Sequence, residues 1–233
     1  SPIKTGLFRR YFQTVSGGAI FRVMTERIFV SFQQIEMPDH FGLDSTEPEA
    51  DRLIGVANEQ IERFMLSDQE VIENFVTCDF HLTQCALQWI RDNHLLTGER
   101  FCELGSGYGV VAMLAARMGM ESIGIEIEQV LVDEANALAA QLSNDAAFHC
   151  GSFIPRETLE NLDMDREMRN VTIEEDDVYR EIGLAMNDFD LFFAFPWPGE
   201  QVFFERVVEK WAASGAMLLT YRGRDGMQLQ RKD

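Results

Sequence analysis

A turn with three glycines at alternate positions, in the stretch RFCELGSGYGV (residues 100–110), carries the clearest chemical signal in the chain. The glycines are Gly105, Gly107 and Gly109, and the acid Glu103 precedes them. A residue without a Cβ lets a ligand approach the backbone closely, so a side chain at Gly107 is expected to displace such a ligand. The turn is therefore predicted to bind a small molecule through its backbone.

The spacing of these glycines disfavours the two common phosphate-binding motifs. The dinucleotide fingerprint needs a glycine at the sixth position counted from Gly105, where this chain has Val110. The P-loop needs a lysine directly after its glycines, and none is present there. A carboxylate from Glu103 at the mouth of the turn would repel a pyrophosphate and attract a cation. The favoured ligand carries positive charge and little phosphate.

A second acid, Glu126, ends the next apolar run, in the stretch ESIGIEIEQ. Doubly wound α/β folds place an acid about 20 residues after the glycine turn, where it accepts hydrogen bonds from ribose hydroxyls. A ligand with both a ribose and a cationic head would satisfy both acids. S-adenosylmethionine has both groups and is the predicted cofactor.

The residue types for metal or acid–base chemistry are sparse. Cys78, His81 and Cys85 would share one helix face at a spacing that could bind a metal ion, but no second pair of ligands lies nearby. Buried thiols behave as small apolar residues, so no metal site is predicted. His81 and His149 are candidate general bases by elimination only, and His149, inside an apolar strand, is interpreted as a core residue.

Composition and charge limit the classes of partner. The chain of 233 residues is long enough for one α/β domain with an appendage, and 46% of its residues are hydrophobic. The 39 acids against 20 basic residues give a net charge of −19, which disfavours nucleic acid as a partner. The predicted substrate is a small molecule or a protein, and the charge weakly favours a neutral or cationic one.

No transmembrane segment is predicted, because no apolar run reaches the roughly 18 residues that a span needs. The four cysteines lack the density of a disulfide scaffold, which predicts a reducing, cytoplasmic environment. Residues 1–35 are locally basic and contain apolar residues at helical spacing, namely Leu7, Phe8, Tyr11, Phe12 and Val15. This amphipathic helix could contact a partner or a membrane, but packing against the domain is favoured.

The elements that must position the glycine turn alternate, from about residue 98 onward, between short apolar runs and helical patterns. This alternation predicts a doubly wound, mostly parallel α/β sheet. A turn at residues 223–226 predicts a last, antiparallel strand at or near the sheet edge. The predicted strands before that turn are Arg100–Leu104, Ser122–Glu126, Ala147–Cys150, Asp190–Phe195 and Ala216–Tyr221.

The chain divides into two predicted regions. Residues 1–97 are interpreted as a mostly helical cap or lid, and residues 98–233 as a Rossmann-like domain. Within the second region, the connection between the third and fourth strands is long and acidic, and no role is assigned to its segment 157–181. Its run Glu174–Asp177 is interpreted as a solvated face or a helix start.

On the motifs ELGSGYG, IGIE and FDLFFAFPWPGE, the sequence resembles the class I S-adenosylmethionine-dependent methyltransferases over roughly residues 98–222. Through NFVTCDFHLTQCALQWI it is also loosely similar to the Dot1-like members. The resemblance implies a Rossmann-like fold, methyl transfer and the cofactor S-adenosylmethionine. It also implies Glu126 as the ribose-binding acid and cofactor contacts from Glu103, Gly105, Ser106, Gly107, Tyr108 and Gly109.

The sequence departs from the family pattern at two places. The family often has an Asp after the third strand to bind adenine; here Ser152 and Phe153 follow Gly151 and are the candidate adenine contacts. Amine- and amide-methylating members often carry Asn-Pro-Pro-Tyr after the fourth strand, where this chain has the stretch AFPW, so nitrogen methylation by that arrangement is in doubt. By resemblance, Phe195 and Pro196 are predicted cofactor contacts.

Three further side chains have two interpretations each. Trp197 is predicted either to form a wall of the substrate pocket or to pack under the cap. Thr77 and Asp79 are predicted either to cap the following helix and also contact the methionine end of the cofactor, or to cap the helix alone. No catalytic base is identified, and none is needed when the methyl acceptor is already unprotonated.

Three functions are open from the sequence. A methyltransferase is favoured; a module that binds S-adenosylmethionine without catalysis is the first alternative. An NAD(P)-dependent oxidoreductase is the second, and Val110 and Glu103 speak against it.

Overall fold

A single seven-stranded sheet organises the chain in a computed structural model that describes residues 32–38, 41, 47–67, 75–155 and 177–233. The strands are β1 (Phe32–Ile35), β2 (Arg100–Leu104), β3 (Glu121–Glu126), β4 (Ala147–Cys150), β5 (Leu191–Ala194), β6 (Met217–Tyr221) and β7 (Met227–Lys232). Their order across the sheet is β1-β7-β6-β5-β2-β3-β4. Neighbouring strands from β6 to β4 are parallel, while β7 is antiparallel to both β6 and β1.

Helices cover both faces of the sheet. They are α1 (Pro48–Met65), α2 (Phe80–Asp92), α3 (Val110–Arg117), α4 (Gln129–Leu142), α5 (Val178–Ile182) and α6 (Gln201–Trp211), with 3-10 turns at Met186–Asp188 and Gly223–Asp225. The buried side chains of α1 to α4 join one apolar cluster, and those of α5 and α6 join a second cluster on the opposite face. The result is a three-layer α/β/α arrangement.

Alternation along the central strands explains why this sheet is buried on both sides. In β5, Leu191 and Phe193 pack into the cluster of α1 to α4, whereas Phe192 and Ala194 pack into the cluster of α5 and α6. All four side chains are buried, so the strand reads as a continuous apolar run. Such runs are typical of parallel strands covered by helices on both faces.

The predicted fold class is confirmed. The doubly wound, mostly parallel sheet is present, and its antiparallel β7 lies one strand from the edge, after a turn at residues 223–226. Strand β1 was not predicted; it pairs with β7 and makes the outermost strand on that side. The division into a cap and a Rossmann-like domain stays a prediction.

Two predicted features fall largely outside the described residues: the amphipathic helix within residues 1–35 and most of the acidic segment 157–181. From that segment, Asp177 begins α5, and its side chain accepts hydrogen bonds from the N–H groups of Tyr179 and Arg180. Among the described residues, no helix has the length and apolar character to cross a membrane.

Candidate functional site

The glycine turn between β2 and α3 has a backbone that only glycine adopts readily. Gly105, Gly107 and Gly109 have φ angles of 73°, 51° and 69°, in the left-handed region. The N–H groups of Gly105 and Ser106 both donate to the carbonyl of Ile125, at 2.9 and 3.0 Å, which ties the turn to β3. The sequence therefore fixes a rigid turn at the carboxyl end of β2.

The three glycines differ in what a side chain would meet. A Cβ at Gly109 would overlap the ring of Phe148, and a Cβ at Gly107 would lie 2.9 Å from the ring of Phe75. A Cβ at Gly105 would meet no atom of the described residues within 4 Å. Of the three, Gly105 is thus the glycine that borders open space, whereas a side chain at Gly107 would first displace Phe75.

Glu126 lies at the end of β3 with its carboxylate turned toward the glycine turn. Its Oε2 accepts a hydrogen bond from the Gly107 N–H at 2.8 Å, and its Oε1 accepts from the N–H groups of Ile127 and Glu128 at 2.8 and 3.1 Å. Burial raises the pKa of Glu126, and these backbone hydrogen bonds oppose the rise. The carboxylate is held rigidly, and Oε2 keeps a lone pair for a further donor.

Glu103 accepts a hydrogen bond at the start of α3, a structural role that the sequence analysis did not predict. Its side chain is 4% exposed, and its Oε2 accepts a hydrogen bond from the Ala112 N–H at 2.8 Å. Helix α3 begins after Gly109, which has no capping side chain, so Glu103 supplies the acceptor at this helix start. Burial raises the pKa of Glu103 well above its ordinary value, which weakens the electrostatic argument made from its charge.

The side chains of Ser106 and Tyr108 have different surroundings. The Ser106 hydroxyl is buried without a hydrogen-bond partner and lies where a side chain on Gly124 of β3 would be. The Tyr108 ring packs between Phe64 of α1 and Phe75, with ring centroids 5.6 and 5.8 Å away. The cofactor contacts predicted for both residues stay predictions.

The segment 75–79, just before α2, lies over the glycine turn. Its first residue, Phe75, contacts the turn through Gly107 and Tyr108. Asp79 caps α2, because its side chain accepts a hydrogen bond from the Leu82 N–H at 2.9 Å. Thr77 is exposed. The segment is therefore placed beside the predicted cofactor site, although contact with a cofactor stays a prediction.

Cys78 and His81 are directed to different neighbours. The Cys78 Sγ lies 3.6 Å from the Thr83 hydroxyl oxygen, and burial raises the pKa of the thiol to about 12. The His81 Nδ1 lies 3.5 Å from a carboxylate oxygen of Asp51 on α1. Within the part of the chain that the structure describes, no three His, Cys, Asp or Glu side chains are grouped for a metal ion.

The loop after β4 adjoins Glu126 through the backbone. The Gly151 N–H donates to the Glu126 carbonyl at 2.8 Å, and the Ser152 hydroxyl accepts from the Ile154 N–H at 3.2 Å. The Phe153 ring stacks on Phe204 of α6, with centroids 5.1 Å apart. Ser152 and Phe153 thus directly follow a residue whose backbone bonds to that of the predicted ribose acid, and their adenine contact stays a prediction.

His149 of β4 is on the opposite face of the sheet from Glu126. Burial lowers the pKa of this half-buried imidazole, and the carboxylate of Glu181 on α5 opposes that shift. Its side chain faces the α5 layer because alternate residues of a strand point to opposite faces. His149 is therefore separated by the sheet from the glycine turn.

An aromatic pair lies at the carboxyl ends of β5 and β6. Phe195 directly follows β5, and its ring meets that of Tyr221, the last residue of β6, edge-on at 4.9 Å. Pro196 is buried, and the backbone N–H of the half-buried Trp197 donates to a carboxylate oxygen of Glu200 at 3.3 Å. The sequence analysis did not identify Tyr221 as a candidate site residue. Its position at the end of a predicted parallel strand could have indicated it, since ligands bind at the carboxyl ends of such strands.

Comparison with known proteins gives structural matches only. No family model matches the chain, and no curated protein sequence matches it. A methyltransferase from Geobacter sulfurreducens aligns over 82% of this chain and 95% of its own, with 14% identity and a TM-score of 0.50. The chain therefore has the class I methyltransferase fold, while the predicted likeness to Dot1-like members is not shown.

Two other solved structures are similar over most of the chain. An RNA methyltransferase from Salinibacter ruber, crystallised with S-adenosyl-L-homocysteine, covers 80% of this chain and 90% of its own, at 15% identity and a TM-score of 0.39. An O-methyltransferase from Bacillus cereus, also in complex with S-adenosylhomocysteine, covers 77% of this chain and 68% of its own, at 14% identity and a TM-score of 0.44.

Proposed function

We propose that the protein is an S-adenosylmethionine-dependent methyltransferase whose acceptor is a small molecule or a protein. The observation that carries the proposal is the hydrogen bond between the glycine turn and Glu126. Gly105 of the turn borders open space, and the Gly107 N–H holds the Glu126 carboxylate next to the turn. The shared fold is consistent with this function but does not itself establish it, since one fold supports many activities.

The residues present suit this cofactor. The left-handed backbone at Gly105 leaves room for a ligand against the turn, and the free lone pair on Glu126 Oε2 can accept a hydrogen bond from a ribose hydroxyl. In the proposal, the turn holds the methionine and ribose portions, and Ser152 and Phe153 lie toward the adenine.

Methyl transfer requires the protein mainly to align the methyl donor and the acceptor. When bound, S-adenosylmethionine supplies a methyl group to an acceptor lone pair; the carbon–sulfur bond breaks with its electrons left on sulfur, and any proton on the acceptor passes to water. The glycine turn and Glu126 would fix the donor end, and the segment 75–79 would limit access of water. The four free cysteines fit the cytoplasmic setting that we infer for this reaction.

Calorimetric titration of the purified chain with S-adenosylhomocysteine, and separately with NADH, tests the cofactor. Binding of S-adenosylhomocysteine at one site, without binding of NADH, is expected, because the turn has Val110 where the dinucleotide fingerprint has glycine. Binding of NADH alone, or of neither, would contradict the proposal. Formation of S-adenosylhomocysteine from S-adenosylmethionine with any acceptor would then exclude a module that only binds.

Glu126→Gln tests the ribose contact while keeping one oxygen acceptor in place. Its affinity for S-adenosylhomocysteine is expected to fall roughly tenfold, because a hydrogen bond to a charged group contributes about 1.5 kcal/mol. Glu128→Gln is the matched control, since it makes the same charge change at an exposed side chain two residues away. Equal affinity of the two variants, by titration of samples with native circular dichroism, would argue against the assignment.

A further inference from the structure

The adjacent strands β2, β5 and β6 end side by side at the carboxyl edge of the sheet, and the residues at these ends form a row of three positions. Glu103 pairs with Phe193 and Leu104 with Ala194, and Ala194 pairs in turn with Thr220. One residue further along, Gly105, Phe195 and Tyr221 follow in the same order. Neighbouring strands are about 4.8 Å apart, so this row runs roughly 10 Å from the glycine turn to Tyr221.

The row lies on the side where the reactive end of the cofactor would point. Glu126 is on β3, on one flank of β2, and β5 and β6 are on the other flank. A ligand with its ribose at Glu126 and its middle over Gly105 must extend its remaining end toward Phe195 and Tyr221. The methyl acceptor would then sit over this aromatic pair.

The surroundings of Tyr221 make its hydroxyl a neutral polar group. Burial raises the pKa of Tyr221, and the nearby Asp79 carboxylate and Cys78 thiol raise it further, while the Asp79 backbone N–H opposes them. The hydroxyl therefore stays protonated at ordinary pH and serves as a hydrogen-bonding group rather than a base. The residue is half-buried, as is Phe195, so part of each ring is accessible.

The pair presents two aromatic rings and one hydroxyl at the end of the row. The Asp79 carboxylate lies near the Tyr221 hydroxyl and accepts a hydrogen bond from the Leu82 N–H at the start of α2. Rings of this kind bind planar aromatic partners by edge-to-face and offset stacking.

We infer that Phe195 and Tyr221 form the wall on which the methyl acceptor binds, and that they select a planar aromatic acceptor. A ring of the acceptor packs against Phe195, and a polar group on that ring hydrogen-bonds to the Tyr221 hydroxyl. The inference rests on the proposed function and deepens it: Phe195 becomes an acceptor contact, and Tyr221 becomes a specificity-determining residue.

Fluorine NMR of the full chain labelled with 3-fluorotyrosine tests the inference. The chain has four tyrosines, Tyr11, Tyr108, Tyr179 and Tyr221, and single replacements by phenylalanine assign the four signals. With S-adenosylhomocysteine bound, phenol or indole is expected to shift the Tyr221 signal, and butanol, which has a hydroxyl but no ring, is not. The Tyr179 signal is the internal control, because its hydroxyl donates to the Phe153 carbonyl in the layer on the other face.

A second measurement uses affinity for the same probes. Tyr221→Phe is expected to weaken phenol binding about fivefold, and Tyr179→Phe is expected to leave it unchanged. If Tyr221→Phe fails to fold, the signals of the unaltered protein still decide, with Tyr221 assigned by elimination. Three results would overturn the inference while the proposed function stands, each with S-adenosylhomocysteine bound. No aromatic probe shifts the Tyr221 signal, a probe shifts the Tyr179 signal instead, or butanol shifts the Tyr221 signal more strongly than phenol does. Failure of S-adenosylhomocysteine itself to bind would refute both.

Discussion

Gly105→Ala is expected to weaken S-adenosylhomocysteine binding by up to about 100-fold while the chain stays folded. The added Cβ enters the open space beside the turn, where the proposed cofactor would lie, and forcing a methyl group into a well-packed contact costs up to about 3 kcal/mol. The positive φ adds about 1 to 2 kcal/mol to the cost of folding, which a domain of this size tolerates. Calorimetric titration measures the loss of affinity.

Gly119→Ala is the matched control for this variant. Gly119 also has a left-handed backbone, with φ of 85°, and a Cβ there meets no atom within 4 Å. It follows α3 and lies away from the turn, so its replacement has the same kind of backbone cost without entering the proposed site. If Gly105→Ala bound S-adenosylhomocysteine as tightly as Gly119→Ala, the open space at Gly105 would not be where the cofactor lies.

Two of the parallel strands had predictable bounds because their own sequences mark where each strand begins and ends. The runs Arg100–Leu104 and Ala147–Cys150 have the predicted bounds, since apolar residues between polar or glycine-rich turns leave few alternatives. Strand β1 has the sequence FQQI, whose two central residues are exposed. It is a strand because β7, nearly 200 residues later, offers an edge to pair with, and a local pattern does not contain that information.

The part of the candidate site that was predictable from the sequence is the glycine turn, because the role of its residues depends on their own backbone conformation. The need for glycine at residues 105, 107 and 109 follows from the tight turn, and all three have positive φ. Side-chain roles depend on register. Glu103 was interpreted as a charge at the mouth of the turn, but β2 directs its carboxyl group inward to the Ala112 N–H. Tyr221 becomes a neighbour of the turn only once β6 pairs with β5.

Gly109→Ala is expected to lower the free energy of unfolding by about 2 to 5 kcal/mol, the largest loss of stability among the glycine replacements in the turn. Two costs add: a left-handed backbone for a residue with a Cβ, about 1 to 2 kcal/mol, and overlap of that Cβ with the Phe148 ring, about 1 to 3 kcal/mol. Phe148 is buried in the cluster of α1 to α4, so its ring has little space to move. Urea unfolding followed by circular dichroism measures the change.

Comparison of Gly109→Ala with Gly105→Ala separates two roles of glycine in one turn, adopting a left-handed backbone and leaving room for a neighbouring ring. Both variants have nearly the same backbone cost, since their φ angles are 69° and 73°, and they differ in what the new Cβ meets. The difference in unfolding free energy between them therefore reports the overlap with Phe148 alone, about 1 to 3 kcal/mol. Equal stabilities would mean that Phe148 moves aside freely, and Gly109 would then be required for its backbone conformation and not for packing.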